Sequence, residues 1–147
     1  MCGIIGYSSK KKDAKEVVIA GLKNLEYRGY DSAGIATTNE NGKIMLYKAK
    51  GKIANLEEKL KTEKILSSTA IGHTRWATHG EPSETNAHPH KVGITTLVHN
   101  GIIENYIDLK EFLMNEGISF KSSTDTEVAC AYINYMYEKT NKKSKLD

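Results

Sequence analysis

Residues 2–8 read Cys-Gly-Ile-Ile-Gly-Tyr-Ser, and the rest of the chain is best understood outward from them. They are apolar, rich in β-formers and spaced by glycines, the pattern of a buried strand approached closely by other backbone. Asp13 can cap a helix over residues 14–26, with Ala14, Val17, Val18, Gly21, Leu22 and Leu25 on one face. After a glycine-containing loop at 28–32, residues 33–38 and 43–49 make a hairpin around Asn41-Gly42. Ile53, Leu56 and Leu60 mark an amphipathic helix over 53–61. Residues 69–75 and 93–99 read as strands. The long polar stretch between them, 76–91, is of a length that is usually functional in a compact domain. A helix is expected over 104–116 and a strand over 118–121. Thr124-Asp-Thr-Glu127 has capping-box spacing and opens a helix over 125–139. Hairpins with helices to either side point to layered α+β, not a doubly wound sheet.

The composition narrows the function classes. The chain has 147 residues, 39% hydrophobic and 27% charged, enough for one domain with a core. Its net charge of +3 is small, and many of its lysines lie in Lys10–Lys12 and in the polar tail from Thr140 to Asp147. Nucleic-acid binding is not expected from so weak an excess. No apolar run is long enough to span a bilayer, and the start is not that of a secretory signal. A cytoplasmic protein is the default. Two cysteines, Cys2 and Cys130, do not make a disulfide framework.

Chemistry can enter at four places. Removal of Met1 would leave Cys2 with a thiol and a free α-amine. An unperturbed α-amine has a pKa of about 7.7–8.0, so near neutrality part of it can accept the thiol proton. Taken alone, Cys2 reads first as a small buried apolar residue at a strand start. Cys130, among Val128, Ala129 and Ile133, reads as core only. Asn100-Gly101 could offer a side-chain amide and a backbone N–H to an oxyanion, or simply turn the chain. Arg75 could grip a carboxylate and Asp125 an ammonium; each also has an ordinary role, as a surface ion-pair partner or a helix-terminus residue. Five histidines fall between His73 and His99, but no thiol or carboxylate recurs at metal spacing and no metal site is expected.

Six segments become specific when taken together. They are Cys2-Gly-Ile-Ile-Gly-Tyr7, Leu25-Glu-Tyr-Arg-Gly-Tyr-Asp-Ser-Ala-Gly34, Gly72-His-Thr-Arg-Trp-Ala-Thr-His-Gly80, Asn86-Ala-His-Pro-His90, Val98-His-Asn-Gly-Ile-Ile-Glu-Asn105 and Thr124-Asp-Thr-Glu-Val128. In this order they resemble the class II, N-terminal-nucleophile glutamine amidotransferases. Tyr30, Trp76 and His79 resemble the hexosamine branch. The amidophosphoribosyltransferase branch would carry Arg-Gly-Gln near residue 30 and Arg-Tyr-Ser-Thr-Ala-Gly near residue 76.

The resemblance implies a four-layer αββα fold, of which residues 1–147 would be the N-terminal portion. Apolar surface and strand edges would then be left open, and the sugar-isomerase domains would be absent. It implies Cys2 as nucleophile and base, with Asn100 and Gly101 as oxyanion hole. Arg75 and Asp125 would hold the two ends of L-glutamine, and Trp76, Thr78 and His79 would belong to a closing loop. Arg28 would lie near the nucleophile. No cofactor or metal is implied. The ammonia released would serve glucosamine 6-phosphate synthesis from fructose 6-phosphate. That synthesis needs isomerase domains or a complementing chain, in a family that is homodimeric or higher. The alternative is a non-catalytic module that binds glutamine or a partner.

Overall fold

The computed structural model describes residues 1–77 and 80–140; Thr78, His79 and residues 141–147 of the basic tail lie outside the described residues. The first strand, β1 (Gly3–Ser8), runs directly into α1 (Ala14–Leu25) and a single 3-10 turn at Glu26–Arg28. β2 (Ser32–Thr38) and β3 (Ile44–Lys50) form the expected hairpin. Its turn is held by the Asn39 side-chain oxygen, which accepts the N–H groups of Asn41 and Lys43, and Gly42 takes a positive φ of 74°. α2 (Ile53–Leu60) leads to β4 (Thr69–Arg75), which pairs antiparallel with both β1 and β2, giving a sheet in the order β1-β4-β2-β3.

Alternation sorts this sheet's side chains. Ile5, Ala33, Ile35, Ala49 and Ala70 join Val18, Leu22, Ile53 and Leu56 in one core beneath α1 and α2. Gly72 makes the close approach possible: a Cβ there would lie 2.6 Å from Val18 and 2.9 Å from Leu22. Val17, placed by its spacing on the apolar face, is 37% exposed, and Ile19 is buried instead. Leu22 is fully buried. Leu22→Ala should therefore cost roughly 2–5 kcal/mol, read from the urea midpoint at constant slope; a loss below 1 kcal/mol would contradict this packing.

The opposite face of the sheet carries Gly34 and His73, and against it lies a hairpin, β5 (His90–Val92) and β6 (Thr95–Leu97). Behind that hairpin are α3 (Tyr106–Asn115) and α4 (Asp125–Lys139), packed around Leu113, Val128 and Ala131. The order helix–sheet–sheet–helix is the expected four-layer α+β arrangement. On its outer half, Ile94, Ile107, Met114, Ile133 and Met136 are exposed.

Four local readings need correction. The strand expected over 93–99 shrinks to β6, Thr95–Leu97; Gly93 adopts φ 57° in the turn that joins it to β5, which begins in the stretch expected as loop. Residues 118–121 pair with no strand; Ile118 and Phe120 pack instead against the α3–α4 core. Asp13 stands at the N-cap of α1 without capping it, since its carboxylate accepts the Tyr7 hydroxyl at 3.0 Å. At α4 only half of the capping box forms. Thr124 Oγ1 accepts the Glu127 N–H at 3.3 Å, but the Glu127 carboxylate turns to the N–H groups of Lys121 and Ser122. No helix among the described residues is long and apolar enough to cross a membrane.

Candidate active site

The residues singled out in the sequence come from five separate segments and meet at one end of the layered fold. Cys2 leads into β1, Arg75 ends β4, Asn100 and Gly101 follow β6, and Asp125 opens α4. Cys2, Arg28, Arg75, Trp76, Asn100, Gly101 and Asp125 all line one cavity of about 580 Å³. A groove of equal volume between α1 and α2 is lined by lysines, glutamates and aliphatic side chains, with no nucleophile.

Cys2 is half-buried, and its Sγ accepts the Trp76 N–H at 3.2 Å. The strand behind it is fixed by the Gly3 N–H, which donates to Thr74 Oγ1 at 3.1 Å. Two side chains converge on the Cys2 carbonyl: Asn100 Nδ2 donates at 3.1 Å and Arg28 Nε at 3.3 Å. The Asn100 amide still has a second N–H to offer. Gly101 has φ 153°, a region open to glycine, and a Cβ there would lie 2.9 Å from His99 Nε2.

Arg75 and Asp125 are both buried, 4% and 6% exposed. Burial works against the guanidinium charge of Arg75, while Asp31, Cys2 and Asp125 favour it. Its Nη1 and Nη2 donate to the carbonyls of Glu81 and Gly80, holding the far end of the loop that begins at Trp76. Asp125 Oδ2 accepts the Ile103 N–H at 2.7 Å, which ties α4 to the Asn100 turn. Trp76 is half exposed and meets Tyr30 edge-on at 6.2 Å between ring centroids.

Residues assigned no catalytic or binding part from the sequence also build this site. The Asp31 carboxylate accepts the Ala77 N–H, and Gly29 lies so close to Arg75 that a Cβ would meet its carbonyl oxygen at 2.8 Å. His73, His88 and His90 form a buried row, with ring centroids 4.2 Å apart for the first pair and 4.8 Å for the second. Their non-local packing leaves no spacing signal. Among the described residues no three His, Cys, Asp or Glu side chains are arranged to hold a metal ion. Cys130 is fully buried; burial pushes its thiol up to about 11, in keeping with a core role.

Burial lowers the basicity of the whole imidazole row. His73 is held at about 4 and His90 at about 3; His88, flanked by both, is pushed down as well. These bases bind protons more readily in the unfolded chain than in the folded one. Their contribution is therefore complete above the ordinary value near 6.5 and is lost as pH falls toward 4. Urea unfolding at pH 5 should show stability lower than at pH 7 by on the order of 3 kcal/mol, the decline starting near pH 6.5, above the carboxylate range. A flat profile between pH 7 and 5 would contradict the buried row.

Comparison with known proteins places these features in a family. Residues 57–145 match the family described as the glutamine amidotransferase domain. The chain is 56% identical over 140 residues to the glutamine–fructose-6-phosphate aminotransferase (isomerizing) of Clostridium acetobutylicum, covering 94% of this chain and 23% of that protein. It is 48% identical over 141 residues to the enzyme of the same name from Haemophilus influenzae, covering 96% and 23%. Among solved structures it is similar to the glutamine phosphoribosylpyrophosphate amidotransferase of B. subtilis in complex with ADP and GMP. That match has a TM-score of 0.75 and 30% identity, over 91% of this chain and 29% of that one. A structure described as the allosteric regulatory enzyme of purine biosynthesis matches with a TM-score of 0.71 and 30% identity, over 99% and 30%. The chain thus spans less than a quarter of the length of these curated relatives. With a matching fold and half of its residues shared with relatives from distant bacteria, it belongs to the glutamine amidotransferase domain family.

Proposed function

We propose that this chain hydrolyses the side-chain amide of L-glutamine through Cys2, once Met1 has been removed. The observation that carries the reading is convergence: Cys2, Arg75, Asn100 and Asp125, far apart in sequence, line one cavity. Arg75 suits the α-carboxylate of glutamine and Asp125 its α-ammonium, which leaves the carboxamide directed at Cys2 Sγ. Thr78 and His79 are assigned to the loop over the substrate together with Trp76.

In the reaction the Cys2 α-amine takes the thiol proton, and the thiolate forms an S–C bond to the amide carbon. The carbonyl electron pair moves to oxygen, where Asn100 Nδ2–H and the Gly101 N–H receive it. Collapse of this intermediate breaks the C–N bond as the α-ammonium gives its proton to the amide nitrogen, which departs as ammonia. Water, deprotonated by the same amine, then adds to the γ-glutamyl thioester carbon; the S–C bond breaks, glutamate leaves, and the Cys2 thiolate regains the proton held by the amine.

By analogy with the relatives' names, the ammonia would be used to aminate fructose 6-phosphate. The acceptor, the isomerase domains or complementing chain that would bind it, and any homodimer belong to this proposal. So does a cytoplasmic setting, which suits two free thiols.

The test is covalent labelling with a glutamine-mimicking diazoketone, followed by peptide mapping. Modification of Cys2, lost in Cys2→Ala together with all ammonia release, is the expected result. Absence of labelling in protein that still binds glutamine would replace the enzyme by a binding module.

A further inference from the structure

His73 is wholly buried on β4, and its Nε2 faces two oxygens: Asn100 Oδ1 at 2.8 Å and the backbone carbonyl oxygen of His99 at 3.2 Å. A carbonyl oxygen can only accept, so Nε2 has to carry the hydrogen. With the proton there, the atom of the Asn100 amide that faces it is the oxygen. The nitrogen must then point the other way, toward Cys2, whose carbonyl it reaches at 3.1 Å. The remaining ring nitrogen, Nδ1, is buried with no hydrogen-bond partner, so a second proton on the ring would be left unpaired.

The ring itself is immobilised. His88 stacks on it at 4.2 Å with the planes 25° apart, and the glycine at position 34 lets the His88 carbonyl approach β2. A backbone carbonyl thus sets a tautomer, and the tautomer sets which end of an amide faces the nucleophile. An amide turned the other way would present oxygen to a developing oxyanion and repel it.

We propose that His73 is a positioning residue for the oxyanion hole: held as the Nε2–H tautomer by the His99 carbonyl, it keeps the Asn100 N–H donor turned toward Cys2. The inference rests on the reading of Asn100 as an oxyanion donor given above.

The test compares His73→Leu, which fills the space without a donor, with His73→Gln, which can restore an N–H at a similar reach. Three quantities are measured on each: kcat and KM for glutamine hydrolysis, and the rate of Cys2 alkylation by iodoacetamide, which needs the thiolate but no oxyanion. His73→Leu should lower kcat at least tenfold, with KM and the alkylation rate changed less than threefold, and His73→Gln should recover most of kcat. Equal kcat in the two variants, or a fall in alkylation that parallels the fall in kcat, would overturn the proposal. Should His73→Leu fail to fold, nitrogen-15 spectra of the unsubstituted protein decide: an Nδ1–H tautomer at His73 overturns the proposal and an Nε2–H tautomer upholds it. Failure of the parent reading looks different, since Cys2→Ala would then keep its ammonia release.

Discussion

A chain made to keep Met1 is expected to lose glutamine hydrolysis by a factor of about 10³ or more, with its fold intact. Placing a lysine between Met1 and Cys2 gives a start from which methionine is poorly removed. The thiol is untouched, but the amine that would deprotonate it becomes part of a peptide bond and can no longer act as a base. General-base assistance alone is commonly worth about 10²–10⁴ in rate. Space adds to the effect. The residue directly before Cys2, Met1, lines the same cavity, its sulfur 3.9 Å from Arg28 Nη2, so the lysine that takes this place in the variant stands where substrate would enter. Intact mass reports whether the methionine is present and ammonia release reports turnover. Normal turnover by protein that still carries Met1 would sink the mechanism, whatever the fate of the fold.

Gly34→Ala should be among the most damaging single changes in the chain, although it adds one methyl group. A Cβ at position 34 would sit 2.1 Å from the His88 carbonyl oxygen and 3.1 Å from Pro89 Cδ. The obstacle is backbone, which cannot rotate away as a side chain would. The two sheets would have to separate, taking His88 off His73. Overpacking of this kind costs typically 1–3 kcal/mol and more where nothing can yield, so a loss of about 3 kcal/mol or more is expected. Gly6→Ala is the control. It adds the same methyl to β1 of the same sheet, yet nothing lies within 4 Å of it, and its effect should stay within about 0.5 kcal/mol. Urea midpoints for the two variants that agree within error would show that the sheets are not in contact at Gly34.

Most of the elements were legible because they are written in local periodicity. The Asn41-Gly42 turn that makes the β2–β3 hairpin and the apolar face of α2 need no knowledge of the rest of the molecule. Legibility failed where an element depends on a distant partner. Residues 118–121 have the β-forming character of a strand, yet their backbone finds none to pair with, and burial of Ile118 and Phe120 against α3 and α4 decides their course. Asp13 has the chemistry of a cap, and a tyrosine from β1 claims its carboxylate.

The site divides in the same way. Side-chain chemistry and motif order, both properties of the chain as a string, were enough to name Cys2, Arg75, Asn100 and Asp125 and the family they belong to. The tertiary structure alone decided that these residues share a cavity, that Gly34 must be a glycine, and that a buried imidazole faces the Asn100 amide. The reason is physical. A functional group is a property of one residue, whereas a distance, a tautomer or a steric limit belongs to atoms brought together by segments dozens of residues apart.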